Sequence, residues 1–239
     1  MSVTELFISI VIPTLDERES VKRLVPKLEA VAKTLPVGSF ECIFVDDDSK
    51  DGTQQAILDM RAGSAMPIFL VERKVRGLAT AVIEGFRHAR GSIVGVIDAD
   101  LSHPPELIPK MLGMLEGADI VVGSRHLPGG GVEEWPAHRR FFSRAASLCT
   151  LLLAPRVTDP MSGYFFLRKE AIQGVTLSPV GYKILLEILV KGRYSKVAEV
   201  PYIFRNRDFG KSKLNWKVSA AYFWHLAKLH AWKLGHIFS

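Results

Sequence analysis

Cysteine is scarce in this 239-residue sequence: only Cys42 and Cys149 occur. That excludes a small fold stapled by disulfides. Cys42 sits in a strand-like run and Cys149 in a helix-like one. Both read as small buried apolar groups in a reducing compartment. The sequence also lacks any apolar run of the about 18 to 20 residues that a membrane-spanning helix needs. The longest candidates are 148–154 and 220–234, the second broken by His225, Lys228, His230 and Lys233. No signal peptide is legible, because residues 2–5 are polar and the apolar run 7–12 is too short. The expectation is a chain made and kept on the cytosolic side of a membrane. Internal repeats and low-complexity linkers are missing too. With 48% apolar and 23% charged residues, disorder, collagen and coiled coil are excluded.

Acid and base are unevenly placed. The net charge is +6, and from Arg205 to the C-terminus seven Lys or Arg face one acid, Asp208. The 24 other basic residues are matched by 24 acids. A basic tail suits phosphates, an anionic membrane surface or nucleic acid. It also suits a solvated helical face.

Short β-branched runs at 7–12, 42–45, 68–71, 93–97 and 120–122 are bounded by Pro, Gly or Asp. They read as buried strands. Between the first two, Val21, Leu24, Val25, Leu28, Val31, Ala32 and Leu35 share one helical face. Thr14 and Glu17 have the spacing of a capping box at its entry. Further helical patterns cover 53–61, 79–90 and 105–115. Repeated strand–helix alternation predicts an α/β fold, a mostly parallel sheet flanked by helices. After residue 122 come a Gly-rich loop at 128–132, helices at 139–153 and 184–189, and strands at 165–167 and 197–203. The expected organisation is one domain over 1–214 and an amphipathic helical appendage over 215–239.

In such sheets ligands bind beyond the carboxyl ends of the strands. Strand one ends in Ile12-Pro13-Thr14-Leu15-Asp16-Glu17, strand two in Val45-Asp46-Asp47-Asp48-Ser49, and strand four in Asp98-Ala99-Asp100. Carboxylates gathered at one edge repel unless a cation or a donor-rich ligand joins them. Asp98 and Asp100 have a spacing suited to Mg²⁺ or Mn²⁺, which prefer oxygen ligands. The same acids also suit helix caps and turns, and Asp48, Ser49 and Asp51 are read that way. Arg125, Arg139, Arg140, Lys183, Arg207, Lys211 and Lys213 supply a basic counterpart fit for phosphate groups. For Arg140 and Lys211 a solubilising role is preferred, while Lys74 and Arg76 fit either.

The strings VIPTLDERE, VDDDSKDGT, GLATAVIEGFRHARGSIVGVIDADLSHPPELIP, GSR, DPMSGYFFLRKEA and GYKILLEI run collinearly through most of the chain. Together they resemble the family-2 glycosyltransferases of GT-A (Rossmann-like) fold. Within that family the sequence is most similar to the dolichol- or polyprenol-phosphate mannosyltransferases. The resemblance implies donor contacts from Pro13, Leu15, Glu17, Val45, Asp47, Ala99, Lys183, Arg207 and Lys213. It implies a metal, Mg²⁺ or Mn²⁺, on Asp98 and Asp100. Ser102 replaces a Gln that ligates metal in some relatives, so a water takes that place or Ser102 itself stands there. Leu15 replaces an aromatic found in some, which leaves the base open. Arg125, Arg139 and Ser143 match positions that hold the acceptor lipid phosphate, with Asp98, Asp100 and Arg125 central to catalysis.

The implied reaction moves a hexosyl group, with inversion, from a nucleoside diphosphate to a dolichyl or polyprenyl monophosphate. GDP-mannose is the first choice of donor and UDP-glucose the rival. The nucleophile is a phosphate oxygen whose second pKa is about 6, so no strong base is required. Asp159 is a second-choice base, or a cap before Pro160. Alternatives are a non-lipid acceptor, or a non-catalytic nucleotide-binding subunit. No nucleic-acid module is recognisable. A membrane surface is the expected partner. On a helical wheel Tyr222, Phe223, Leu226 and Leu229 share one arc opposite Lys217 and Lys228, with Trp216, Trp224 and Trp232 nearby. Packing of that arc on the domain is the competing expectation. Whether small membrane-anchoring subunits hold the chain is left open.

Overall fold

The computed structural model describes residues 7–35, 40–133, 150, 152–178, 183–205 and 216–235, with 216–223 as backbone only. The predicted alternation is present. Strand β1 (Ile8–Thr14) leads to helix α1 (Arg18–Ala32), β2 (Phe40–Asp46) to α2 (Thr53–Gly63), and β3 (Ile68–Glu72) to α3 (Leu78–His88). Then come β4 (Ile93–Val96), a 3₁₀ turn at Pro105–Leu107, α4 (Ile108–Met114), β5 (Ile120–Ser124) and β6 (Gly131–Val132). The last part holds β7 (Phe165–Arg168), α5 (Ile184–Lys191), β8 (Val197–Pro201), β9 (Ile203–Phe204) and α6 (Trp216–Gly235).

Seven strands form one sheet in the order β3-β2-β1-β4-β7-β5-β8. All neighbours are parallel except β7, which runs antiparallel to β4 and β5. Both faces are covered, and the alternation within strands shows it. Ile8, Ile10 and Ile12 of β1, with Phe40, Cys42 and Phe44 of β2, pack on one side against Leu24 and Leu28 of α1. Val11, Ile43 and Val45 face the other side with Val82 of α3 and Leu185 of α5. Side chains of successive strand residues point to opposite faces, so an unbroken apolar run is what a doubly covered strand requires.

Two local expectations change, and a third is untested. Thr14 forms no capping box. It is the last residue of β1, and its hydroxyl donates to Asp46 Oδ2 at 3.0 Å. Helix α1 is capped from the neighbouring connection instead. Arg18 N donates to Asp51 Oδ2 at 3.0 Å and Glu17 N to Thr53 Oγ1 at 2.8 Å. Adjacent parallel strands set their two outgoing loops side by side, so one loop caps the helix of the other. The strand expected over 197–203 divides at Tyr202, with β8 on β5 and β9 leaving to pair with β6 in the Gly-rich loop. The helix expected over 139–153 lies outside the described residues, apart from Thr150, Leu152 and Leu153.

Helix α6 settles onto the domain with part of its apolar arc. His225, Leu226 and Leu229 are buried, the two leucines within the core under α5. Lys233 Nζ donates to the carbonyls of Leu152 and Leu153. Trp224 and Leu234 stay 61% and 60% exposed, and Leu152 is 77% exposed. The helix therefore has a packed face and an apolar outer face together. The side chains of Trp216, Lys217, Tyr222 and Phe223 lie outside those described. No helix among the described residues is long and apolar enough to cross a membrane.

Candidate active site

Strands β1 and β4 lie side by side, while β2 and β3 continue to one flank and β7, β5 and β8 to the other. The chain order reverses there, and in such sheets the gap beyond those carboxyl ends is the ligand crevice. The ends of β1, β2, β4, β5 and β8, and the start of antiparallel β7, all open on this edge. All but β8 carry described residues that the sequence pointed to.

The carboxylates divide into structural and available ones. Asp46 is fully buried and ties its loop together by accepting from Thr14, Ser49 N and Gln54. Asp16 accepts from Lys50 N at 2.9 Å, and Asp48 pairs with Lys50 on the surface. Asp47 differs. Its Oδ2 accepts from Gly77 N at 2.7 Å, while Oδ1 lies 3.4 Å from Arg73 Nη1. Both Asp47 Oδ1 and Arg73 Nη1 are buried without a hydrogen-bond partner among the described residues. Burial pushes the Asp47 carboxyl above its ordinary range, against Gly77 N–H and the Arg73 charge. The two atoms face each other as a buried ion pair. Arg73, directly after β3, is not marked by the sequence, because nothing local distinguishes it from Lys74 and Arg76.

Of the other expected donor positions, Pro13 and Val45 have buried side chains within the paired strands β1 and β2. Leu15 is half-buried at the crevice edge. Glu17 accepts from the Ser20 hydroxyl at 2.7 Å.

Asp98, Ala99 and Asp100 lie in a turn beyond β4 and not in extended chain. The turn contains Leu101 at φ 62, in the left-handed region. Asp100 is 5% exposed, and its Oδ1 accepts from Ser102 N at 3.0 Å. Ser102 thus supports Asp100 through its main chain. Its own hydroxyl is buried and without a hydrogen-bond partner among the described residues. The Asp98 side chain keeps 25% exposure. A Cβ on Gly163 would lie 3.7 Å from Asp98 Oδ2, so the turn at 159–164 closes against this acid.

The basic side of the crevice begins where β5 ends. Arg125 is locked to Asp159 by three bonds: N to Oδ2 at 3.1 Å, Nε to Oδ2 at 2.7 Å and Nη2 to Oδ1 at 2.8 Å. Burial alone would raise the Asp159 carboxyl, but the Arg125 guanidinium overrides it and holds it below the usual range. Arg125 is in turn held charged above its ordinary value by Asp159. Asp159 is therefore neither an available base nor a simple loop cap. Both its oxygens accept from Arg125, His126 Nε2 lies 3.9 Å from Oδ1, and it has no exposed surface. Glu199 on β8 fixes this loop by accepting from Thr158 N, Thr158 Oγ1 and Asp159 N.

Lys183 stands just before α5. Burial and the neighbouring Arg125 charge push it down to about 8, against the opposing pull of Asp159 and Asp98. The turn at 159–164 links the two sides, since it holds Arg125 through Asp159 and closes on Asp98 at Gly163. Arg139, Ser143, Arg207 and Lys213 lie outside the described residues. Among the described residues no group of three His, Cys, Asp or Glu side chains converges as a metal cage.

The family model described as glycosyl transferase family 2 matches residues 9–176. The chain is 42% identical over 231 residues to the dolichol-phosphate mannosyltransferase of Pyrococcus furiosus, covering 95% of this chain and 64% of that protein. It thus spans less than two thirds of that relative's length. It is 35% identical over 236 residues to the dolichol-phosphate mannosyltransferase of Saccharomyces cerevisiae, covering 95% of this chain and 88% of that one. Among solved structures, glucosyl-3-phosphoglycerate synthase from Mycobacterium tuberculosis, determined with Mn²⁺, UDP and glucosyl-3-phosphoglycerate, superposes with a TM-score of 0.67 at 19% identity. That match covers 95% of this chain and 80% of the other, and it shows a shared GT-A-like fold. The matched segment carries every strand end from β1 to β5 that builds the crevice, and the chain belongs to glycosyl transferase family 2.

Proposed function

We propose that the chain transfers mannose from GDP-mannose to a dolichyl or polyprenyl monophosphate, with inversion, at this crevice. The observation that carries the reading is the turn at 159–164, which holds Arg125 through Asp159 and closes on Asp98 at Gly163 beyond the switch between β1 and β4. The names of the two relatives, 42% and 35% identical to it over the aligned residues, point to the same chemistry.

The donor's base lies toward Asp47 and Arg73. Guanine presents adjacent N–H donors and a carbonyl, chemistry that a carboxylate and a guanidinium complement. Asp98 and Asp100 fit Mg²⁺ or Mn²⁺: two hard oxygen donors and no soft ligand suit a cation that keeps waters and takes diphosphate oxygens. Such a cation stabilises the charge that develops on the leaving diphosphate. Lys183 adds positive charge on the same side, and Arg207 and Lys213 are assigned there with it. Arg125 presents the acceptor phosphate, with Arg139 and Ser143. Asp159 takes two of its five N–H donors and fixes the direction of the rest. The nucleophile is already anionic near neutral pH, so the burial of Asp159 costs the reaction no base. The outer face of α6, with Trp224 beside Lys228, suits the headgroup region of a membrane, where the lipid acceptor resides. A peripheral position, on the cytoplasmic side, fits this reading.

The deciding assay incubates the protein with polyprenyl phosphate, Mg²⁺ or Mn²⁺ and either GDP-mannose or UDP-glucose. The expected result is an organic-soluble mannolipid from GDP-mannose. Product from UDP-glucose alone would overturn the donor, and no lipid product from either would overturn the acceptor. A pH dependence follows from Lys183. It is charged below about 8 and neutral above. The KM for the anionic donor should therefore rise as the pH climbs through that value, and Lys183→Met should flatten the rise. An unchanged profile in Lys183→Met would remove this lysine from the donor site.

A further inference from the structure

The turn that carries Asp98 and Asp100 is closed by a side chain. Ile97 N still donates to β1, at Val11 O. The next N–H, that of Asp98, has no strand partner and donates to Nδ1 of His103 at 3.0 Å. Nδ1 must then carry a lone pair, which sets the ring proton on Nε2. The same nitrogen lies 3.8 Å from Asp98 Oδ2, too far for a hydrogen bond.

The ring is 1% exposed and has little freedom to turn. Tyr164 stacks on it at 5.1 Å and 15°, and Tyr202 and Phe204 meet it edge-on at 5.7 and 5.9 Å. Tyr164 is itself anchored, its hydroxyl donating to Pro104 O at 2.8 Å. A Cβ on Gly163 would lie 3.2 Å from His103 Cε1, so a larger residue there would press on the ring. An acceptor has thus been fixed in place, and the group that it holds is the main chain of a proposed metal ligand.

We propose that His103 is a positioning residue for the reaction: its Nδ1 fixes the Asp98 main chain and so aims the Asp98 carboxylate at the divalent cation. It acts through Asp98 and touches neither donor nor acceptor. The inference rests on the reading that Asp98 and Asp100 hold that cation. The competing role is packing alone, and the two roles are separable by substitution. His103→Phe keeps a flat ring among the aromatics and removes the acceptor. His103→Asn sets Oδ1 near the place of Nδ1 and removes the stacking.

The test is a Mn²⁺ titration of the full chain with GDP present, followed by the electron paramagnetic resonance signal of free Mn²⁺, well below the unfolding temperature of each variant. Both variants should unfold at a lower temperature than the parent, so Tm does not separate the roles. H103F should bind Mn²⁺ about 10-fold more weakly or worse, the usual effect of losing a group that orients a ligand. H103N should stay within about threefold of the parent. Equal Mn²⁺ affinity in H103F and the parent, or equal losses in both variants, would overturn the role of His103. If H103F does not fold, H103N decides, since lost affinity in folded H103N also overturns it. If the parent itself binds no Mn²⁺, the cation reading fails and this inference goes with it. Asp100→Ala, expected to bind none, shows that the signal reports this site.

Discussion

Asp100→Asn is expected to lower turnover by about 10³-fold while leaving the fold in place, because charge stabilisation at a departing group is usually the largest single term. Asn keeps an acceptor for Ser102 N, so the turn retains its internal bond. What disappears is the negative charge that holds a divalent cation near the leaving diphosphate. The stability loss should stay below about 1 kcal/mol, the usual net value of one hydrogen bond, because that bond is kept. Steady-state turnover with GDP-mannose, read beside a urea melt, separates the two effects. Full activity of the variant at saturating Mg²⁺ or Mn²⁺ would remove Asp100 from the metal site. Loss of both activity and folding would instead make this acid a structural one, like Asp46.

Asp159→Ala is expected to have the largest effect on stability, costing about 3–5 kcal/mol, as removal of one partner of a buried ion pair generally does. Arg125 would be left charged and buried, with its three bonds to Asp159 broken. The sign of the pH dependence follows from the lowered carboxyl. The pair contributes fully above the unfolded-state value of about 3.9. Its contribution disappears as the pH falls below that, toward the lower folded-state value. The parent should therefore lose more stability than the variant between neutral pH and about pH 3. Urea melts across that range check it. Turnover should fall as well, since Arg125 would no longer be aimed, but the pH–rate profile should keep its basic shape. Loss of an ionisation near neutral pH in that profile would restore Asp159 as a base.

Much of the architecture is legible in the sequence alone. Apolar runs such as 42–45, and 7–12 with Ser9 as its one polar residue, mark strands covered on both faces, and the structure places β1 and β2 over them with alternate residues in two cores. The acids at strand ends are legible for the same reason: polar residues after a buried strand must lie at the edge of the sheet. The roles of those acids are not. Asp46, Asp47 and Asp48 are consecutive, yet one ties a loop, one faces Arg73 from a buried site and one pairs on the surface. Which neighbour each meets depends on β2 lying between β1 and β3, and no local pattern carries that order.

The same division separates Arg125 from its partner. The sequence marks the arginine and the acid 34 residues away, but sets them to different tasks. Only the insertion of antiparallel β7 between β4 and β5 brings the loop before it onto the end of β5. His103 is visible in the sequence merely as a neighbour of two prolines. Its ring becomes meaningful when Tyr164, Tyr202 and Phe204 arrive from distant segments to hold it. For α6 the helical wheel shows an apolar arc, and only the packed leucines beneath α5 decide which part faces the domain. Periodicity and composition thus determined the elements, their burial and the edge where the chemistry sits, because these follow from short stretches of chain. Strand order decided which charges meet, because contacts between residues 30 or more apart are fixed by how the sheet closes and not by the segments that form it.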